Sequence, residues 1–229
     1  NVNDIDLRKL PLFRYLSVSD FDKMAKEVEV LDYKKGEFIF KSGDPSDKLY
    51  IVCSGQMKIF TYTIDGREQI MYIYNPGDFV GGHNVLEGHK YLYMGQALEN
   101  SKICTMSKAF FNKYCISNPM ILLQILGKSY DRIRWAEDLI SRLSSTNASI
   151  KVANLLLRFA SRYGTNTDEG TEIDLSLSRE ELGSYAGLTR ETITRKLGEL
   201  KDLGLIDYRG NKKLIIKDEN RLRDYFLGG

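Results

Sequence analysis

Histidine is almost missing from this chain: His83 and His89 are the 2 in 229 residues. Both sit in a glycine-rich stretch, where neither a metal triad nor a nucleophile beside an imidazole base can be assembled, so no enzyme is expected. Clustered His and Glu ligands of a cupin-like barrel enzyme are absent for the same reason. Cysteine is scarce too: Cys53, Cys104 and Cys115 are an odd number at wide spacings. That is a poor disulfide framework and suits a reducing cytoplasm, with the thiols read as small buried hydrophobes. No apolar run approaches the roughly 20 residues that a bilayer demands. The opening Asn1-Val2-Asn3-Asp4 carries neither the basic nor the apolar part of a secretory signal. A cytoplasmic protein without a membrane partner is expected. Its start without an initiator Met fits a processed or trimmed chain with residues before Asn1. A large charge of one sign is also lacking. The formal net charge of +2 is too mild to indicate nucleic-acid binding, so any basic surface must be local.

What is present is ordinary for a folded protein: 42% hydrophobic and 28% charged residues exclude both disorder and a membrane span. The length allows two modest domains. Residues 1 to about 30 read as short helices, with a cap at Ser19 and Phe21, Met24, Ala25 and Val28 on one face. From Leu31 to Ser107 short aromatic and β-branched runs alternate with glycines, the texture of a small antiparallel barrel or jelly roll able to hold a ligand. Asp65-Gly66 between two such runs marks a hairpin. Pro119 then opens a helix running to about Leu143. Along it Leu122, Leu126, Ser129, Ile133, Ala136, Ile140 and Leu143 step by four and three, a coiled-coil seam that implies a homodimer. Packing of that helix on its own barrel is the competing reading. Ser144-Ser145-Thr146-Asn147 is a hinge. Ala148 to Tyr163 is a helix with Val152, Leu155, Leu156 and Phe159 inward, and Gly164 to Gly170 reads as a polar loop.

The densest signal follows. Ser178-Arg179-Glu180-Glu181 is a capping box, which satisfies the free backbone donors of a helix start. A short helix through Tyr185 leads to the turn Ala186-Gly187-Leu188. Thr189 caps a second helix that ends near Leu203 at Gly204. Two helices about such a turn form a helix-turn-helix. Ile193, Leu197 and Leu200 supply the apolar stripe of the second helix, while Arg190, Glu191, Thr194 and Arg195 occupy the other face. An Arg can donate twice to guanine, and a Glu can accept from cytosine. Leu205 to Ile216 reads as two strands about a Gly-Asn turn. This is a wing whose Arg209, Lys212 and Lys213, with Thr189, would contact phosphates of double-stranded DNA.

The order of barrel, long helix, hinge and winged helix-turn-helix resembles the cyclic-AMP receptor protein and FNR (fumarate and nitrate reduction) superfamily of bacterial transcription regulators, over essentially the whole chain. The closest motifs are Phe40-Lys41-Ser42-Gly43-Asp44, Leu49 to Gly55, Gly77-Asp78-Phe79-Val80-Gly81, Gln96 to Ser101, and Gly183 to Thr189. The resemblance implies an α+β architecture: an N-terminal antiparallel β-barrel of the cyclic-nucleotide-binding type with helices over 1–118, a dimerisation helix and hinge over 119–147, and a winged helix-turn-helix over 148–229. It also implies a cytoplasmic homodimeric activator acting near RNA polymerase under control of a small effector. Arg190-Glu191 and Arg195 match the receptor branch and suggest a palindrome of TGTGA-like half-sites, each bidentate contact discriminating by about 1–3 kcal/mol.

The family's nucleotide pocket uses a Glu for the ribose and an Arg-Ser or Arg-Thr pair for the cyclic phosphate. Gly82, and Tyr91 with Leu92, stand at those positions here, which argues against cyclic AMP even with Lys90 as a substitute cation. Cys104 matches the barrel cysteine of iron–sulfur sensors, but no cysteine stands before Cys53 in this sequence, so a cluster is not supported unless a segment preceding Asn1 carries the others. Gly81, Gly82, His83, Tyr91, Leu92 and Met94 are the candidate effector pocket. His83, His89 or Met94 could ligate a haem, which would make the chain a sensor of nitric oxide or carbon monoxide. A small apolar or aromatic effector is an equal alternative. A ligand-binding dimerisation module that no longer reads DNA is the competing class.

Overall fold

A computed structural model describes residues 7–81, 90–144, 147–210 and 212–227. The chain divides into two compact units, one formed by Asn1–Tyr62 with Ile70–Ala136, the other by Thr63–Gln69 with Glu137–Gly229.

The first unit opens with two 3-10 turns, Leu7–Lys9 and Pro11–Phe13, and helix α1 (Val18–Glu27). The α1 cap is Ser17, not Ser19: its hydroxyl accepts the Asp20 backbone N–H at 3.1 Å. An N-cap must stand just outside the helical turn, and Ser19 already lies inside it. Among the described residues eight strands follow: β1 (Glu29–Tyr33), β2 (Phe38–Phe40), β3 (Lys48–Ser54), β4 (Met57–Tyr62), β5 (Glu68–Tyr74), β6 (Phe79–Val80), β7 (Met94–Ala97) and β8 (Ser101–Ser107). They make two four-stranded antiparallel sheets, ordered β1-β8-β3-β6 and β2-β7-β4-β5. Asp65 and Gly66 do fall between β4 and β5, and Gly66 takes φ +79°, which a side chain would resist.

Strand alternation sorts the side chains onto two faces. Tyr72, Tyr74, Val52, Ile103, Ile59 and Phe40 fill the space between the sheets. Leu49, Ile51, Cys104 and Met106 point the other way, under Leu10, Leu12, Phe13, Phe21 and Met24 of the N-terminal turns and α1. Each of these large side chains contributes about 1.5–3 kcal/mol on burial. Helix α2 (Lys108–Tyr114) closes that outer layer with Phe110 and Phe111.

Helix α3 runs over Pro119–Ser144. In the first unit Ile121 is fully buried and Trp135 packs on Tyr72, ring centroids 4.3 Å apart. Leu122, Leu126 and Ile133 lie at 40–66% exposure, and Ala136 is also exposed. Farther along the helix, in the second unit, Ile140 and Leu143 are 69% and 43% exposed. Among the described residues, no helix is long and apolar enough to cross a membrane.

The second unit packs α4 (Ala148–Tyr163), α5 (Arg179–Ala186), α6 (Arg190–Asp202) and α7 (Glu219–Leu227) against a sheet of β9 (Gly164–Thr167), β10 (Gly170–Asp174), β11 (Ile206–Arg209) and β12 (Lys213–Ile216), ordered β11-β12-β10-β9. Val152, Leu155 and Leu156 of α4 are fully buried, and Phe159 is nearly so. Asn147 caps α4 from the expected hinge, accepting from the Ser149 and Ile150 backbones. The stretch expected as a polar loop is a hairpin instead: β9 (Gly164–Thr167) and β10 (Gly170–Asp174), with β10 paired to β12 (Lys213–Ile216). Polar β9 lies at the sheet edge and β10 inside it. β9 pairs only with β10, and β10's other partner, β12, comes from beyond residue 200, so local pattern does not announce the hairpin.

Candidate nucleic-acid interface and effector cavity

The helix pair is assembled by local chemistry. The Ser178 hydroxyl accepts from Glu181 N, and the Glu181 carboxylate accepts from Ser178 N at 2.7 Å, completing the capping box. Gly187 terminates α5 in the left-handed region at φ +68°. That left-handed backbone is what requires glycine there; a Cβ would also approach Leu143 Cδ2 to 2.9 Å, a side-chain end that can move aside. Gly183 is equally constrained: its Cβ would meet the Leu188 carbonyl oxygen at 2.6 Å, so the two helices close around a bare backbone. Thr189 then caps α6 by accepting from Thr192 N at 3.2 Å.

On α6, Ile193, Leu197 and Leu200 are at most 2% exposed, and Arg190, Glu191, Thr194 and Arg195 all face solvent. These four predicted base-reading residues are therefore brought onto one face near the helix start. Thr194 donates to the Arg190 carbonyl at 2.8 Å, and Arg195 pairs with Glu199 at 2.8 Å. Glu199 also takes Lys196 at 2.6 Å. The Lys196 hydrogen bond, ahead of the charges of Lys196 and Arg195, holds the Glu199 carboxyl below the usual range. The Arg195 pair is exposed on both sides, the kind that an incoming phosphate or base edge can replace.

The wing is β11 (Ile206–Arg209) and β12, joined through Gly210 at φ +65°. Lys212 is exposed, and Asn211 of the expected turn lies outside the described residues. Arg209 and Lys213 are held by acids that the sequence reading did not single out. Arg209 reaches Glu169 and Glu172, each at 2.9 Å, and Lys213 reaches Glu172 at 2.5 Å. The Glu172 side chain is only 12% exposed. The Lys213 hydrogen bond leads the causes that lower its carboxyl below the ordinary value, with the charges of both cations adding to it. Only recognition of β10 as a strand would have placed Glu172 beside these cations.

In the first unit the described effector candidates, Gly81, Tyr91, Leu92 and Met94, do not line one common cavity. Tyr91 is buried and stacked on Phe40, centroids 4.0 Å apart, and donates to the Lys48 carbonyl at 3.0 Å. Leu92 is 72% exposed, and Met94 accepts the Ser42 N–H at 3.4 Å through sulfur. Gly82, His83 and His89 lie outside the described residues. Of the four described candidates, Gly81 borders a cavity of about 30 Å³ whose lining includes Tyr72, Tyr74, Asp78, Lys128 and Arg132, and Tyr91, Leu92 and Met94 do not line it. Lys128 pairs with Asp78 at 2.5 Å. The Tyr74 hydroxyl is buried without a hydrogen-bond partner among the described residues, and burial pushes its pKa well up despite the Arg132 charge. These cavity groups come from β5, the β5–β6 turn and α3, which sequence spacing does not connect.

An exposed polar face on the second of two capped helices, with a wing in the same unit, is the architecture of a DNA-binding regulator. Residues 30–118 match the cyclic nucleotide-binding domain and residues 150–225 the Crp-like helix-turn-helix domain. Electron transport regulator A of Shewanella oneidensis is 33% identical over 210 residues, covering 88% of this chain and 83% of that protein. A CRP-like cAMP-activated global transcriptional regulator of Mycobacterium tuberculosis is 27% identical over 94% of this chain and 96% of its own. The solved structure of FixK2 from Bradyrhizobium japonicum shares the fold at a TM-score of 0.75, with 24% identity, over 86% of this chain and 96% of that one. The chain belongs to the cyclic-AMP receptor protein and FNR family of transcription regulators. It is a DNA-binding regulator, not an enzyme, and regulators of this family bind DNA as dimers.

Proposed function

We propose that the chain pairs along the α3 seam and reads a palindrome of TGTGA-like half-sites, with Arg190, Glu191 and Arg195 on base edges and Thr194 beside them. The observation that carries this is the α6 surface: these side chains stand exposed in the first turns above a fully buried stripe, the arrangement a recognition helix presents to a major groove. Thr189, Arg209, Lys212 and Lys213 position the protein on phosphates. The exposed apolar seam residues Leu122, Leu126, Ile133, Ala136, Ile140 and Leu143 support pairing, because such a stripe is covered in a stable protein. RNA polymerase is the partner that the activator role supplies. The functional division is a sensing part over 1–118, a pairing part over 119–147 and a reading part over 148–229.

The effector reading moves from the Gly81–Met94 stretch to the cavity beside Tyr74. A volume of about 30 Å³ holds about two water-sized groups. A compact ligand that accepts a hydrogen bond from the Tyr74 hydroxyl fits this chemistry. Selection from a random duplex pool tests the DNA reading. Wild type is expected to enrich TGTGA-like half-sites and Arg190→Ala to lose preference at one guanine. Identical preference in both proteins would overturn the assignment of Arg190.

A further inference from the structure

The cysteines of the first unit are not the isolated thiols that their spacing suggests. Cys53 on β3 and Cys104 on β8 are joined as a disulfide, their Cα atoms 6.4 Å apart. Pairing across a sheet ignores sequence distance, here 51 residues, so spacing alone was no guide. The strand register explains the approach. Cys104 faces Ile51, Val52 faces Ile103 and Ser54 faces Lys102, with the ladder irregular between Val52 and Ser54. Cys53 falls at that irregularity, and strand alternation puts it on the same face as Ile51, in the cluster that holds Cys104. The Cα separation lies within the span of about 4.4–6.8 Å that a disulfide can bridge.

The two sulfurs differ in access. Cys104 is fully buried, whereas Cys53 is only partly buried at the margin of the same outer cluster. Cys53 Sγ also lies 3.7 Å from the Ile51 carbonyl oxygen, an acceptor ready for its thiol once reduced. Cys115 is the built-in contrast: it is free and buried, and burial pushes its thiol up to about 12.

We propose that Cys53 and Cys104 form a reversible thiol–disulfide pair, a site of oxidative modification on the outer face of the barrel and separate from the Tyr74 cavity. The oxidant class is a low-molecular-weight disulfide. The Cys53 thiolate attacks one sulfur of the oxidant, forming a mixed disulfide and releasing one thiol. The Cys104 thiolate then attacks Cys53 Sγ, forming the intramolecular bond and releasing the second thiol. Two protons leave the protein, the pair is oxidised by two electrons, and the oxidant is reduced to two thiols. The bond staples β3 to β8 beneath the N-terminal helices.

The experiment equilibrates the whole protein anaerobically in glutathione buffers of graded oxidised-to-reduced ratio, quenches with acid, alkylates under denaturing conditions and reads the intact mass. The expected result is a single transition from three alkylated cysteines to one, with Cys115 the one labelled. Cys104→Ser should hold a glutathione adduct at Cys53, and Cys53→Ser should form none at Cys104. Three alkylated cysteines at every ratio, while the chain unfolded in guanidinium oxidises in the same buffers, would overturn the proposal. So would a bond to Cys115, or a Cys53–Cys104 bond that survives even the most reducing buffer.

Discussion

The two units keep their chemistry in opposite places. In the reading unit the polar groups that matter are outside: Arg190, Glu191 and Arg195 are exposed above an apolar core of Ile193, Leu197 and Leu200. In the first unit they are inside, with the Tyr74 hydroxyl buried and Asp78 paired to Lys128 beside it. Exposed charges cost little to display and respond to salt. A buried polar group without a partner costs free energy until something supplies one. The first unit is thus a place where a ligand can change stability, and the second a place where a polyanion can change affinity.

Removing apolar bulk from the recognition helix would break the contrast most strongly. Ile193→Ala should destabilise the protein by about 2–5 kcal/mol, because the side chain is fully buried. Thermal unfolding followed by circular dichroism checks this, and a loss below about 1 kcal/mol would mean that the stripe is not core. The same helix shows a different loss when its outer face is cut. Arg190→Ala should leave the unfolding midpoint nearly unchanged while weakening binding to a TGTGA-like palindrome by about 1–3 kcal/mol relative to a scrambled duplex, read by fluorescence anisotropy.

The Tyr74 hydroxyl sharpens the comparison from the other side. Tyr74→Phe should raise stability by about 1 kcal/mol, since it deletes a buried donor with nothing to bind. A destabilised Tyr74→Phe protein would show that the hydroxyl already has a partner. Smaller again is the effect of the acid clamp on the wing. Glu172→Gln should strengthen binding to non-specific duplex a few-fold at low salt and steepen its salt dependence by up to about one unit per cation released to phosphate. An unchanged salt slope would show that Arg209 and Lys213 do not reach DNA.

Acid titration gives the weakest signal, with a definite sign. The carboxyls of Glu172, Glu199 and Asp207 are all lowered by their partners. The stability they contribute is therefore present above the unfolded carboxylate range of about 4 and is lost as pH falls through the lower folded values. Unfolding midpoints measured from pH 6 down to pH 2 should fall through that window. In Glu172→Gln the fall should be shallower.

The reading unit was legible because its signals are local. Ser178 and Glu181, Gly187, Thr189 and the stripe from Ile193 to Leu200 each act within a few residues, so helix starts, turn and buried face could be placed from spacing. The long helix over Pro119–Ser144 was equally plain. The barrel was legible as a texture, and its hairpin at Asp65-Gly66 as a turn, but its contents were not. Tyr74, Asp78 and Arg132 meet through strand pairing and helix packing, at separations that no period encodes. The strand β10 was overlooked because its partner β12 arrives more than forty residues later.

By itself the sequence determined the class of protein. Capping, glycine turns and apolar periods act within a few residues of each other, and so did the display of Arg190, Glu191 and Arg195. Only the tertiary structure decided that Cys53 meets Cys104, that Glu172 holds Arg209 and Lys213, and that Tyr74 points at a cavity. Each of those contacts joins strands or helices distant along the chain. Their partners are chosen by register and packing, which exist only once the chain has folded.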